Sequence, residues 1–86
     1  MESPSKTSRL IISLLDERDM TQSSLSAATN VSIAYTNHVV HGRRLPSAQW
    51  LDLVSETLKL NDRTRKDLHR SAAEDMAKKY GYDVDL

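Results

Sequence analysis

The stretch TQSSLSAATNVSIAYTNHVVHG, residues 21–42, decides the fold because it contains the start and stop signals of two short helices. Thr21 and Ser32 are hydroxyl residues of the kind that cap helix N-termini. Asn30 lies between the two segments, and Asn accepts the left-handed backbone conformation better than any residue except Gly. Gly42 is the type of residue that ends a helix. The stretch therefore predicts two helices joined by a sharp turn, and a second turn with positive φ at Gly42.

The flanking sequence is also typical of helices. Only two Gly and two Pro occur in 86 residues, which leaves little turn chemistry for a sheet. Apolar residues at helical spacing, such as Leu10, Ile11, Leu14 and Leu15, indicate a buried helix face. We therefore predict an all-α fold in one domain, residues 1–86. The five predicted helices cover about residues 6–18, 22–29, 33–41 and 48–58, and from a cap at Asn61 or Asp62 to Tyr80.

Some positions within this plan are open to more than one interpretation. On the second helix, Leu25 and Ala28 are predicted to face inward. Trp50 is predicted at the edge of the core, either packed on the fifth helix or in contact with a second copy of the chain. In the tail, Tyr82, Val84 and Leu86 alternate with Asp83 and Asp85, which is the period of a half-buried strand. The alternative is a frayed terminus.

The distribution of charge is more informative than its sum. The chain has a formal net charge of zero, which at first argues against a nucleic-acid partner. Residues 20–51, however, contain Arg43 and Arg44 and no Asp or Glu, and they include His38 and His41. A surface that faces phosphate must above all avoid like charge. The composition of this segment therefore favours contact with phosphate. The alternative interpretation is a polar stretch that arose by chance and has no partner.

Several classes of function are disfavoured. The chain has no Cys, which excludes a disulfide framework and fits a reducing cytosol. No apolar run approaches the roughly 20 residues of a membrane span, and the N-terminal sequence lacks the layout of a secretory signal, so we expect a cytoplasmic protein. His38 and His41 have the spacing of a helical metal pair but lack a third ligand nearby. We expect no metal, no cofactor, no small-molecule ligand and no enzymatic activity.

The stretch quoted above resembles the DNA-binding domain of the phage lambda repressor, Cro and XRE-like family. The resemblance covers about residues 9–60 and includes the lead-in LLDERDM, residues 14–20, and GRRLPS, residues 42–47. This chain departs from the family at four positions. The family usually has Ala at the position of Ser26 and a large aliphatic residue at that of Thr29. It usually has Gly at the position of Asn30, and Ile or Val at that of Thr36. A Thr36 hydroxyl at a buried helix position can bond back to a carbonyl one turn earlier.

The resemblance implies a helix-turn-helix motif over about residues 21–41, whose second helix lies in the major groove of DNA. By position, the implied contacts to base edges are Ile33, Ala34 and His38. Asn37 lies beside them and can pair with adenine, although its matching position contacts bases less often in the family. The implied contacts to phosphate are Thr21, Gln22, Ser32, Tyr35, His41, Arg43 and Arg44.

The fifth helix carries an apolar stripe. If the first four helices close a core by themselves, this stripe is left as exposed apolar surface. The stripe and the tail therefore predict a dimer interface, formed by Leu68, Ala72, Met76, Tyr80, Tyr82 and Val84. Together these features predict a dimeric, sequence-specific regulator of transcription that binds a palindromic operator as a repressor or autorepressor of a phage, plasmid or defence-related operon. The alternative is a protein-interaction module on the same fold, such as an antitoxin or an inhibitor, which zero net charge and the apolar Ile33 and Ala34 favour.

Overall fold

The computed structural model describes residues 5–79, and these residues form five α-helices and no strand. The all-α prediction is confirmed for this part of the chain. The tail, for which we predicted either a strand or a frayed end, lies outside the described residues. The helices are α1 (Lys6–Glu17), α2 (Gln22–Thr29), α3 (Ile33–Val40), α4 (Ala48–Thr57) and α5 (Asp62–Lys79).

Each helix begins at a side chain that caps it. The capping oxygen accepts a hydrogen bond from the backbone amide three residues further on, and each such bond stabilises the helix by about 1 kcal/mol. The predicted caps at Thr21 and Ser32 are confirmed. For α5 the cap is Asn61, whose Oδ1 accepts from the Thr64 amide at 2.8 Å. The remaining caps are Ser5 for α1 and Ser47 for α4.

The two predicted turns have the expected backbone. Asn30 has φ 56° and ψ 43°, in the left-handed region, and its amide donates to the carbonyls of the last turn of α2. Gly42 has φ 74°, so the positive-φ turn after α3 is confirmed. These two turns set the direction in which α3 enters and leaves the core.

Every helix contributes to one apolar core. Its buried members are Ile11, Leu14, Leu15, Leu25, Val39, Val40, Trp50, Leu51, Val54, Leu58 and Leu68. The condition under which α5 would have apolar surface to spare is not met, because Leu68 of α5 is 0% exposed and Ala72 packs partly buried against the same cluster. The helix pair α1 and α5 is in contact, and so is the pair α4 and α5.

The inward face of α2 differs from the prediction. Leu25 is buried as expected, but Ala28 is exposed and Thr29 is buried in its place. A buried hydroxyl needs partners, and this one both donates and accepts. The Thr29 hydroxyl donates to the Leu25 carbonyl at 2.7 Å and accepts from Trp50 Nε1 at 3.2 Å. The polar side chain is therefore accommodated without an unpaired group.

Trp50 also lies elsewhere than predicted. It is 2% exposed, so it belongs to the interior and not to the edge of the core or to a surface that a second copy could contact. Its ring meets the Tyr35 ring edge to face, with the centroids 5.5 Å apart. Since its indole N–H is bonded to Thr29, the side chain joins α4 to both α2 and α3.

Candidate nucleic-acid interface

The α3 helix has one buried side and one exposed side. Thr36, Val39 and Val40 are buried. The four residues predicted to contact bases are not among these buried residues. Ile33, Ala34 and His38 are exposed, and Asn37 is half-buried. The structure therefore brings these four predicted residues together on the accessible side of α3.

Two hydroxyl groups fix the buried side of α3 to its neighbours. The Ser26 hydroxyl on α2 donates to the Thr36 hydroxyl at 2.7 Å, and both side chains are buried. The bond observed for Thr36 joins it to Ser26 of α2 and not to a carbonyl of its own helix. On α1, the Ser8 hydroxyl donates to the Val40 carbonyl at the end of α3. Because buried polar groups are unfavourable when unpaired, these bonds select one orientation of α3.

A contact between two amide side chains joins the exposed parts of α2 and α3. Asn37 Nδ2 donates to Gln22 Oε1 at 3.3 Å. Gln22 is the first residue of α2, and Asn37 lies in the second turn of α3. Gln22 was predicted as a phosphate contact and Asn37 as a base contact, and the sequence did not indicate that they would bind each other.

Tyr35 holds the loop that follows α3. Its hydroxyl oxygen accepts from the Ser47 amide at 3.2 Å, and the Arg44 guanidinium lies over its ring, 5.0 Å from the centroid. The Tyr35 hydroxyl therefore accepts one hydrogen bond, and its own hydrogen stays available for donation. The amides of Arg43 and Arg44 donate to the His38 carbonyl at 2.8 and 3.3 Å, which places both arginines directly after α3.

Two of the residues predicted to contact phosphate, Thr21 and Ser32, are the caps of α2 and α3. The Thr21 hydroxyl accepts from the Ser24 amide at 3.1 Å and lies 3.0 Å from the Ser24 hydroxyl, so it is engaged within its own helix. The Ser32 hydroxyl accepts from the Tyr35 amide at 3.1 Å. That cap leaves the amides of Ile33 and Ala34 without a partner in the helix, as is usual for a first turn. These amides and the helix dipole favour an anion.

The exposed surface of this part of the chain carries no carboxylate. Residues 20–51, which include α2, α3 and the following loop, contain no Asp or Glu. His41, Arg43 and Arg44 are exposed within it. The surface is therefore positive at its loop end and uncharged along α3.

The residues predicted to form a dimer interface differ in how accessible they are to a second copy of the chain. Leu68 lies inside the protomer's own core and Ala72 is partly buried there, so Leu68 has no surface left for a second copy. Met76 is 48% exposed on α5. Tyr80, Tyr82 and Val84 lie outside the described residues.

Comparisons with protein-family models, with curated proteins and with solved structures find no match to this chain. Among residues 5–79, no helix combines the length and the apolar character that crossing a membrane requires. A function therefore has to be inferred from the geometry and the chemistry of α2, α3 and the loop after α3.

Proposed function

We propose that the protein is a sequence-specific regulator of transcription that binds double-stranded DNA. In this proposal α2 and α3 form a helix-turn-helix motif, and the accessible side of α3 lies in the major groove, which is wide enough to admit a helix. The single observation that carries the proposal is the contrast between the two sides of α3. Its buried side is fixed by Ser26 and Ser8, and its accessible side has no carboxylate.

The surroundings of α3 suit the DNA backbone. Arg44 is held over Tyr35, and the Tyr35 hydroxyl keeps a hydrogen to donate. The N-terminus of α3 adds free amides on the same element. Phosphate contacts of this kind position a protein on the duplex, and contacts to base edges determine the sequence that it binds.

We further propose that the protein acts as a homodimer on a palindromic operator, as a cytoplasmic repressor or autorepressor of a phage, plasmid or defence-related operon. Two copies of α3 related by a twofold axis should lie about 34–36 Å apart to enter successive major grooves. The exposed Met76 on α5 supports an interface at that end of the molecule. Repression would then follow from occupancy of the operator by the dimer.

The test is selection of bound duplexes from a random pool, followed by titration of the selected duplex at several salt concentrations. We expect a palindromic sequence, and a binding constant that falls linearly with salt on logarithmic axes. Sedimentation of the free protein and of the complex measures the dimer. Failure to enrich any duplex, with a correctly folded helical protein, contradicts the proposal.

A second candidate function is supported by one specific observation. Ile33 is 49% exposed and lies next to the exposed Ala34, so the accessible side of α3 begins with an apolar pair. Such a pair also suits a protein partner, as in an antitoxin or an inhibitor. Binding of a protein would lack the steep salt dependence of phosphate contacts, so the salt titration separates the two candidates.

A further inference from the structure

We infer that each half of the bound site contains a thymine whose methyl group packs on Ile33 and Ala34, close to an adenine that Asn37 contacts while Gln22 holds Asn37 in position. This inference rests on the proposed function and names the DNA sequence that the same surface would select. It follows from the order of residues along α3: apolar in the first turn, amide in the second.

The apolar first turn selects among bases by a simple criterion. Ile33 is the first residue of α3 and is 49% exposed, and Ala34 beside it is exposed as well. Neither side chain can donate or accept a hydrogen bond. In the major groove the thymine methyl group is the apolar feature that a base pair presents. A thymine therefore gains from contact with this pair of side chains, whereas the other bases leave their polar edges facing it.

The contact with Gln22 restricts the orientation of the Asn37 amide. One Nδ2 hydrogen of Asn37 is directed to Gln22 Oε1, at an N···O distance of 3.3 Å. The carboxamide then keeps one N–H and its oxygen. Adenine presents an acceptor at N7 and a donor at N6, which matches one donor and one acceptor. Guanine presents two acceptors, O6 and N7, so the Asn37 oxygen would face another acceptor.

The spacing of the two contacts is set by the helix. Ile33 and Asn37 are four residues apart, so they lie on the same face about 6 Å apart along the axis. Successive base pairs are about 3.4 Å apart. The thymine and the adenine should therefore lie within about two base steps of each other in each half-site.

Gln22 acts in this scheme as a positioning residue. It comes from α2, and its described contact is with the amide of Asn37. Removal of its side chain frees Asn37 to rotate, which should reduce discrimination between bases at one position. A purely structural role would change stability and leave that discrimination intact.

The first experiment replaces each half-site thymine of the selected duplex with deoxyuridine, which removes only the methyl group. Wild-type protein should lose about fourfold in affinity per methyl at one thymine in each half-site. The variant Ile33→Ala should show much less sensitivity to the same replacement. The control is Ile12→Ala, which changes another isoleucine of similar exposure, 45%, on α1 and should keep the wild-type sensitivity.

The second experiment replaces the adenine with 7-deazaadenine, which removes the N7 acceptor. Wild-type protein should lose roughly tenfold in affinity, and Asn37→Ala should lose almost nothing further. Gln22→Ala should fall between the two and keep the wild-type salt slope. If Gln22→Ala matches wild type in this discrimination, the positioning role of Gln22 is wrong and the inference is overturned.

The remaining outcomes separate the inference from the proposed function. A selected duplex that lacks a thymine and an adenine within about two base steps overturns the inference, and so does indifference to deoxyuridine. In both cases a steep salt slope would still support DNA binding. If no duplex is selected at all, both the inference and the proposed function fail.

Discussion

The carboxylate of Asp75 accepts two hydrogen bonds from Thr7, one from its backbone amide at 2.9 Å and one from its hydroxyl at 2.6 Å. The other carboxylate oxygen accepts from the Lys6 amide at 3.2 Å. The Ser5 hydroxyl accepts from the Ser8 amide. Asp75 and Ser5 together therefore accept the hydrogen bonds of the backbone amides in the first turn of α1. An anion near a helix N-terminus is also favoured by the helix dipole. The stability of α1 therefore depends on the C-terminal half of α5.

Asp75→Ala should destabilise the protein by about 2 kcal/mol, because it leaves the buried Thr7 hydroxyl and two amides without their acceptor. The measurement is urea denaturation followed by circular dichroism. The control is Glu74→Ala, which removes a solvent-exposed ion pair with Lys6 and should change stability by less than about 0.5 kcal/mol. Equal losses in the two variants would show that Asp75 is not a cap.

Thr29→Val should destabilise the protein by about 1–3 kcal/mol although the replacement has nearly the same shape. The buried indole N–H of Trp50 would lose its acceptor. Ser55→Ala is the control, since the buried Ser55 hydroxyl only donates back to the Leu51 carbonyl of its own helix at 2.8 Å. Thermal unfolding of both variants measures the difference, and an unchanged midpoint for Thr29→Val would refute the role of the bond.

The double variant Arg43→Ala, Arg44→Ala should weaken binding to all duplexes alike and flatten the salt slope by about two units. The physical reason is that two phosphate contacts, and the counterions that they release, would be lost. Arg63→Ala with Arg70→Ala makes the same change of charge on α5 and should leave the slope nearly unchanged. If both double variants flatten the slope equally, general charge and not the loop after α3 accounts for the effect.

Asp52 should make the contact between α4 and α5 dependent on pH. Arg65 Nη2 donates to its carboxylate at 2.8 Å and lowers the pKa of Asp52 below its usual 3.8, and the adjacent His69 ring contributes in the same direction. A lowered pKa means that the stabilisation is present above that usual value and is lost as the pH falls through the lowered one. Urea midpoints of wild type and Asp52→Asn should therefore differ at about pH 7 and converge at about pH 2. A constant difference over this range would contradict the assignment.

The helices could be predicted because their boundaries depend on local chemistry. Thr21, Ser32 and Gly42 act within one turn of their own positions, so their effects can be inferred without knowledge of the fold. Helix ends moved by one residue, as at His41, which caps α3 and was predicted inside it.

The interior of the fold was harder to predict because its polar contacts join distant residues. The hydrogen bond from Trp50 to Thr29 was not predicted, because the two residues lie 21 positions apart in the sequence. The pairs Ser26–Thr36 and Gln22–Asn37 likewise join different helices. A sequence pattern favours the apolar Ala28 over Thr29 as an interior residue. In the folded protein, packing supplies the hydrogen-bond partners that allow the Thr29 hydroxyl to be buried. The four candidate base contacts are placed together on α3, and their binding of DNA remains the proposal to test.

The position of Trp50 gives the molecule a built-in spectroscopic reporter. It is the single Trp of the chain, and it touches Thr29 and Tyr35 on the two helices of the proposed motif. Indole emission depends on the polarity and the rigidity of its surroundings, so a displacement of α3 relative to α4 should change its wavelength or intensity. Binding of a ligand that displaces α3 can therefore be followed in unlabelled protein by stopped-flow fluorescence, with no dye near the surface that is being tested.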